Sequence, residues 1–409
     1  MKTNGSQNGL NQLQTTTVYS ILFGISLSHM LNDMLQSLIP SIYPMLKETF
    51  SLSFTQVGLI TLTFQLAASI FQPFVGRYTD KNPQPFSLAI GMGVTMIGLI
   101  SISFAGSFEA VLVSVALIGT GSSIFHPEAS KIAYLASGGK RGLAQSIFQV
   151  GGNFGTAVGP LLAALIIVRY GRSHVIYFGI LAVIAIIVLI YVGRWAKKKF
   201  EEMSIQKANG HPEAPTHHLS KRTVHVSIGI LLVLIFSKYI YLASITSYYT
   251  FFLIEKFQVS IKSSQLFLFA FLGASAVGTY MGGPLGDRYG RKYVIWFSIL
   301  GAAPFSLAMP YANLFWTAVF SVLVGFILSS AFSAILVYAQ ELMPGKIGMV
   351  SGLFFGFAFG VAGIASALLG LLADVRSIYF VYHICAYLPL MGLIAWKLPD
   401  MKRDVNEPA

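Results

Sequence analysis

The sequence predicts an all-α membrane protein with twelve transmembrane helices in two six-helix bundles, and three observations support this fold class. The chain is 55% hydrophobic and only 10% charged, whereas soluble domains usually carry about 25% charged residues. Its apolar runs are long and do not alternate apolar with polar residues, which favours helices over barrel strands. A single long polar stretch, residues 194–223, divides these runs into six and six.

A helix needs roughly 20 mostly apolar residues to cross the hydrocarbon core of a bilayer. Twelve runs meet this need, and they are numbered here as spans one to twelve: 18–45, 54–76, 86–106, 109–135, 142–169, 174–193, 225–252, 264–285, 293–311, 314–340, 347–372 and 377–397. The predicted domains are an N-terminal tail at 1–17, a bundle at 18–193, a linker at 194–223, a second bundle at 224–397 and a tail at 398–409. The first tail lacks the features of a signal peptide, so span one is expected to stay in the mature protein.

The net charge of +12 raises the question of nucleic acid binding, but the distribution of the cations argues against it. With a cytoplasmic N-terminus, twenty lysine and arginine residues lie on the cytoplasmic side, six lie outside, and Lys238 lies within a span. Cations hold loops on the cytoplasmic side during insertion. We therefore expect a multi-pass protein of the inner (plasma) membrane, with both termini cytoplasmic, whose partner is the lipid bilayer and not nucleic acid.

The two halves of the sequence repeat each other. "GRYTDK" begins at Gly76 and "GPLGDR" at Gly283, an offset of 207, and "GKRG" at Gly139 pairs with "GKIG" at Gly345, an offset of 206. Such offsets indicate a duplicated six-helix unit, a common transporter architecture. Glycine allows helix ends to approach, and an aspartate there can face a helix N-terminus or a cation. We predict a conformational gate that holds the halves together; the alternative is that these aspartates only cap loops. The gate residues of the two loops are Gly76, Asp80, Gly283, Asp287, Arg288 and Arg291.

The string "GGPLGDRYGRK" at 282–292 resembles the cytoplasmic loop signature of the major facilitator superfamily, and "GRYTDKNPQP" is a degraded copy of it. "GTAVGP" at 155–160 resembles the signature of superfamily antiporters, which favours export, and it adds Gly155, Gly159 and Pro160 to the predicted gate. Longer strings such as "SLSHMLNDMLQSLIPSIYPML" and "GTGSSIFHPEASKIA" are similar to bacterial drug-efflux members. The resemblance implies a cavity lined by spans one, four, seven and ten, and a small anionic phosphonate as the exported drug.

Span one carries a polar stripe in "HMLNDMLQ", where His29, Asn32, Asp33 and Gln36 stand at i, i+3, i+4 and i+7 on one helix face. An acid that faced lipid would cost about 2.5–3.5 kcal/mol on insertion scales. We therefore expect this stripe to face the protein interior or a wet cavity. An ionisable residue within a membrane span is by default a candidate functional residue with a partner.

Other spans add polar residues that are candidates for the same cavity. Drug antiporters of the superfamily usually carry an arginine in span four, and this chain offers His126 and Glu128 instead. The predicted proton-coupling residues are Asp33, His126 and Glu128. The predicted substrate-binding residues are His29, Asn32, Gln36, Gln149, Asn153, Lys238, Tyr241 and Tyr248. Two alternatives remain open: His126 is a satisfied core histidine, or Lys238 is a structural partner of Asp33 or Glu128. The phenylalanines of "FFGFAFG" at 354–360 are predicted to be core or lipid-facing residues.

These observations favour a proton-coupled antiporter that exports small drugs by alternating access. Burial strengthens a carboxylate's hold on its proton and a nearby cation weakens it, so changing neighbours would couple proton binding to conformation. The chain has no phosphate-binding Gly-x-x-x-x-Gly-Lys-Ser/Thr loop. We expect a monomer that needs no metal or cofactor and has no enzymatic activity. An uptake carrier for a sugar or organic anion is the alternative, and a receptor would need a signalling domain for which the linker leaves no room.

Overall fold

The computed structural model describes residues 16–41, 46, 49–52, 54–162, 166–167, 170–208, 219–259 and 261–401, and these contain helices and no strand. Eight helical stretches of this described chain are long and apolar enough to cross a membrane, and the described residues of the other four predicted spans are mostly helical as well. The first half contains helices Tyr19–Ser41, Phe54–Ile70, Gln72–Lys81, Ser87–Phe104, Phe108–Leu135, Arg141–Leu162 and Gly179–Ala208, with a 3₁₀ helix at Arg172–Phe178. The second half contains Lys221–Phe257, Ile261–Tyr289, Arg291–Leu300, Ala303–Ala308, Leu314–Ser329, Ala331–Leu342, Ile347–Val375 and Ile378–Cys385, with 3₁₀ helices at Met309–Tyr311 and Leu388–Lys397.

Several spans consist of two consecutive helical pieces, and proline marks most of the joints. Span two is interrupted at Phe71, and Pro73 lies in the first turn of the helix that follows. Pro304 and Pro389 take the same place in spans nine and twelve. Proline has no backbone N–H, and the first turn of a helix is where that donor is not needed. The breaks therefore follow from the sequence and do not disturb the order of the spans.

Span six continues well beyond the apolar run that predicts it. Its helix extends through the basic residues to Ala208, within the segment that we assigned to the linker from residue 194. Lys199 pairs with Glu202 at 3.2 Å, and Lys197 lies 4.0 Å from Glu201. Pairs at these spacings stabilise the solvated face of a helix, and Trp195 and Phe200 pack against the core on the other side. Residues 209–218 of the linker lie outside the described part of the chain.

The two halves of the chain meet at one end of the bundle, which is called the basic side here because its helix ends carry Arg77, Lys81, Arg288 and Lys292. Span five crosses span eight at this end, and a Cβ added to Gly283 would overlap the carbonyl oxygen of Gly142. The approach of these helices is thus as close as backbones allow, and the basic side is closed in this structure.

Candidate functional site

The stripe of span one meets span four in a cluster of two histidines and one carboxylate, called the His–Asp–His cluster. His29 Nε2 lies 3.3 Å from Asp33 Oδ2, and His126 Nε2 lies 3.7 Å from Asp33 Oδ1. The histidine side chains are 4% and 2% exposed, whereas the Asp33 side chain is 18% exposed. Asp33 is therefore the most accessible side chain of the cluster.

Backbone carbonyls fix the orientation of both imidazole rings. His29 Nδ1 lies 2.8 Å from the carbonyl oxygen of Phe148, and His126 Nδ1 lies 3.2 Å from that of Ser122. A carbonyl oxygen only accepts, so each Nδ1 donates its hydrogen, and a neutral imidazole then has only a lone pair on Nε2. Both Nε2 atoms face the acceptor oxygens of Asp33. With neutral histidines and an ionised Asp33, the centre of the cluster lacks a hydrogen, and one added proton or one substrate donor would supply it.

Neighbouring side chains hold the cluster in place. Asn32 Nδ2 donates to Asp33 Oδ1 at 3.0 Å, and the Ser122 hydroxyl donates to Gln36 Oε1 at 3.2 Å. The His29 ring stacks on Phe148 of span five at 4.1 Å between centroids. Span five comes this close because it has Gly152, where a Cβ would collide with the His29 ring. The predicted stripe of span one is thus buried against spans four and five and does not face lipid.

The second half contributes an aromatic layer next to His126. The Phe355 and Phe359 rings of span eleven each lie 5.2 Å from the His126 ring, and Phe332 of span ten packs on Phe355 at 5.1 Å. We expected Phe355 in the core or against lipid. It is buried, and its contact with His126 also places it at the candidate site. Composition could not distinguish these positions, because phenylalanine is common in all of them.

Lys238 lies on the far side of this aromatic layer. It is 3% exposed, and its Nζ lies 5.3 Å from the centre of the Phe332 ring. Among the described residues, no carboxylate lies within ion-pair distance of Lys238, so the alternative that it pairs with Asp33 or Glu128 does not describe this structure. A buried cation without an acid partner is costly unless a ligand neutralises it.

The structure does not bring every predicted residue to the cluster. Tyr241 is buried inside the second bundle, next to Ser306 and Cys385. Asn153 Nδ2 donates to Thr279 Oγ1 of span eight at 3.3 Å, which joins the two halves. Gln149 is buried in span five and Tyr248 is half-buried in span seven. The substrate-binding roles of these four residues remain predictions.

Glu128 lies on the opposite face of span four from His126. It accepts a hydrogen bond from the Thr79 hydroxyl and lies 3.8 Å from Lys131 Nζ. Lys131 in turn lies 3.3 Å from Asp80. A separation of two residues along a helix rotates the side chain by about 200°. Glu128 comes two residues after the cavity-facing His126, and it therefore faces away from the cavity. The structure therefore places Glu128 beside Lys131 and the predicted gate residue Asp80, and separates it from the His–Asp–His cluster.

The gate aspartates each bind the start of a helix in the other half. Asp80 accepts from the backbone N–H groups of Gly348 and Met349 at 3.0 and 2.9 Å. Asp287 accepts from those of Gly142 and Leu143 at 3.0 and 3.1 Å. A helix N-terminus presents free N–H groups and partial positive charge, which together favour a carboxylate. The repeated sequence signature thus forms two equivalent contacts between the halves, as a gate requires.

Further polar contacts support the closed gate. Arg291 Nη2 lies 3.1 Å from Asp287 and 3.1 Å from Glu341, which Arg141 of the other half reaches at 3.0 Å. The Arg288 guanidinium lies over the Tyr289 ring. Gly155 packs span five onto the Met30 carbonyl of span one. The packing around Gly159 and Pro160 lies outside what the structure describes.

A buried hydrogen-bond network that the sequence did not reveal joins the halves just above the gate. Gln340 Nε2 donates to Ser130 Oγ at 3.1 Å and to Ser351 Oγ at 2.8 Å, and Ser130 donates to Gln145 at 3.0 Å. The only sequence signal was that an amide side chain is placed next to Glu341 at the end of an apolar span. The Gln340–Ser130 bond of this network is a further polar contact between the two halves in the closed structure.

We expect Asp287→Asn to weaken the gate, because an amide keeps the shape but loses the charge that the helix start favours. Such an interaction contributes about 1 kcal/mol, which corresponds to a roughly fivefold loss of the closed state relative to the open one. Spin labels on Asn82→Cys and Tyr289→Cys, with Cys385→Ser, would report the separation of the basic-side loops. The matched control Glu201→Gln, an exposed acid of that side, should leave the distances unchanged. Unaltered distances in Asp287→Asn would contradict a gate role.

Comparison with known proteins agrees with the fold and the signatures. The family model described as Major Facilitator Superfamily matches residues 25–270 and 230–409. The chain is 60% identical to the fosmidomycin resistance protein of Escherichia coli strain K12 over 94% of each chain. It is 42% identical, again over 94% of each, to an uncharacterised superfamily transporter of Bacillus subtilis strain 168.

Solved structures extend the likeness in fold at low sequence identity. The human organic anion transporter MFSD10 has a TM-score of 0.74 at 14% identity, with 93% of this chain and 99% of that chain covered. The fucose:proton symporter of E. coli has a TM-score of 0.70 at 14% identity, with 93% and 98% covered. The chain belongs to the major facilitator superfamily. It is a membrane transporter for small molecules and not an enzyme.

Proposed function

We propose that this transporter is a proton-coupled antiporter that exports small anionic drugs, with fosmidomycin as the first candidate. The observation that carries the proposal is the His–Asp–His cluster, whose buried Nε2 atoms and carboxylate oxygens face one another without a hydrogen between them. A proton fits this gap. A hydrogen-bond donor of a substrate fits it as well, so that proton and substrate would displace each other, as exchange requires.

The candidate substrate follows from Lys238 and from the relative. Lys238 carries a buried amine that has no acid partner within the described part of the chain, so a bound anion would favour its charged form and pair with it. The similar E. coli protein is named for resistance to fosmidomycin, an anionic phosphonate. Phe332 and Phe355, between Lys238 and the cluster, would pack against the apolar part of such a molecule. One chain supplies both walls of this site, so the proposal needs only a monomer.

The proposed cycle uses the two states of the gate. The excess of cations on the basic side makes it the cytoplasmic side of the inner membrane. With the gate closed, the cluster faces outside, where a proton enters through Asp33 and displaces the drug. When the gate opens and the outer side closes, the proton leaves to the cytoplasm and the next drug molecule binds. The inward proton gradient then drives export without ATP.

The electrostatics of the site also supports a second candidate function. In this alternative the protein is an uptake carrier that moves an organic anion together with a proton. Protonation makes the cluster more positive, which strengthens the binding of an anion at Lys238 instead of weakening it. The two candidates differ in the direction of proton movement during substrate flux. If the proton and the substrate compete directly for the cluster, the protein is an antiporter. If protonation acts only by adding positive charge near the bound anion, the protein is a carrier that moves both in the same direction.

Drug susceptibility tests the export proposal directly. A host that lacks its own fosmidomycin pump is compared with and without expression of this protein. Export predicts a higher inhibitory concentration on expression, and uptake predicts a lower one. An unchanged concentration, with the protein demonstrably present in the membrane, would contradict drug transport in either direction.

We expect Lys238→Ala to remove fosmidomycin resistance, and Lys238→Arg to retain part of it. Removing one member of a buried charge pair costs at least about 2 kcal/mol, or roughly thirtyfold in substrate affinity. The matched control is Lys221→Ala, an exposed lysine at the start of the same helix. Inhibitory concentrations are measured at equal expression, and full resistance in Lys238→Ala would exclude Lys238 from the substrate site.

A further inference from the structure

An open apolar groove lies on the outer surface of the first bundle, between spans three and six. It has a volume of about 460 Å³ and is lined by Phe86, Ala89, Ile90, Ile190 and Arg194. Apolar side chains form its floor, and the one charged residue among those that line it is Arg194. The groove belongs to the lipid-facing surface and lies outside the His–Asp–His cluster and the gate.

Arg194 lies where the helix of span six leaves the apolar run and enters the basic segment. Lys198 follows one turn later on the same face, and both residues are exposed. The neighbouring Lys197 and Lys199 have Glu201 and Glu202 as partners. In the part of the chain that the structure describes, neither Arg194 nor Lys198 has an acidic partner. Two exposed cations thus lie just past the apolar run of span six, at the end where lipid headgroups are expected.

The second bundle shows that this groove is not a general property of the fold. At the repeat offsets of 207 and 206, Ala89 and Ile190 correspond to Trp296 and Trp396. These tryptophan rings contact each other at 6.2 Å between centroids, and Lys292 lies over Trp396. The surface between spans nine and twelve is therefore filled by the protein's own side chains, whereas the equivalent surface of the first half is open.

We propose that this groove binds an anionic phospholipid from the leaflet on the basic side. An acyl chain lies along Ala89, Ile90 and Ile190, and the phosphate lies at Arg194 with Lys198 near it. A guanidinium suits phosphate because it donates two parallel hydrogen bonds, and basic pockets between transmembrane helices are typical sites for anionic lipids. The inference does not depend on the direction or the substrate of transport.

Native mass spectrometry of the purified full-length protein tests this site, with phosphatidylglycerol or phosphatidylcholine added in steps. We expect phosphatidylglycerol to bind preferentially, and Arg194→Gln to lower its affinity about fivefold. Ile190→Trp, which copies the filled groove of the second half, should lower it as well. The matched controls are Arg222→Gln, an exposed cation at the start of span seven, and Ile97→Trp, a lipid-facing position of span three outside the groove; both should bind like wild type.

The proposal fails if Arg194→Gln retains wild-type affinity, if phosphatidylcholine binds equally well, or if Arg222→Gln causes the same loss. Thermal unfolding of each variant shows whether it is folded. If Ile190→Trp does not fold, Arg194→Gln and its control still decide the question. Fosmidomycin resistance is a separate readout, so failure of the lipid site and failure of the export proposal are distinguishable.

Discussion

Asp33→Asn should reduce fosmidomycin resistance to the level of a host without the protein, the largest effect expected of a single conservative change. Asparagine preserves the size of the side chain but cannot bind and release a proton. Its amide group would supply permanently the hydrogen that the His29 and His126 Nε2 atoms lack in the ionised cluster. The cluster would then resemble its protonated state in both conformations of the transporter, and the exchange of proton for drug would stop.

The control for this variant is Glu109→Gln, which changes an exposed acid in the first turn of span four and should leave resistance intact. Inhibitory concentrations are compared at equal amounts of protein in the membrane. One nitrogen or oxygen atom from each of His29, Asp33 and His126 lies within 4.8 Å of the other two, a spacing at which they could bind a metal ion. A chelator and added Zn²⁺ therefore serve as further controls. Normal resistance in Asp33→Asn would show that coupling does not pass through this carboxylate.

Gly283→Ala should nearly abolish transport by preventing closure of the basic side. The added methyl group would overlap the carbonyl of Gly142 and crowd the Ser146 hydroxyl, which accepts the Gly283 N–H bond at 3.0 Å. Overpacking of this kind costs about 1–3 kcal/mol, which disfavours the closed state by about 5- to 150-fold. The open state, where spans five and eight are apart, escapes this cost.

The same helix provides the control, since a Cβ added to Gly273 meets no atom within 4 Å. Gly273→Ala carries the same change in helix propensity and should transport normally. Spin-label distances between the basic-side loops should lengthen in Gly283→Ala only. Equal transport by the two variants would mean that the close approach of spans five and eight is not needed in the cycle.

The fold was largely predictable because membrane helices are specified by local composition. Where the structure describes the predicted spans they are largely helical, and the offset of about 207 residues between the two loop signatures predicted equivalent roles for Asp80 and Asp287. The extension of span six to Ala208 was not predicted. That segment is rich in lysine and glutamate and carries only a few apolar contacts, such as those of Trp195 and Phe200, so its composition resembles a linker and not a membrane span.

The site was predictable only in part, because sequence gives the face of a helix but not the neighbour of that face. The stripe of span one was found from its spacing, and it meets His126 as proposed. Glu128 and His126 were grouped by their proximity in sequence, although the helix turns them apart. The position of Phe355 beside His126, and the lack of an acidic partner for Lys238 among the described residues, depend on how spans four, seven, ten and eleven pack, and this packing is a tertiary property.

The most direct test of the account is proton movement in vesicles that contain the purified protein. With a pH gradient imposed, the account predicts that fosmidomycin and protons move in opposite directions, and that Asp33→Asn abolishes both fluxes together. Movement of drug and protons in the same direction, or drug flux that continues unchanged in Asp33→Asn, would contradict it.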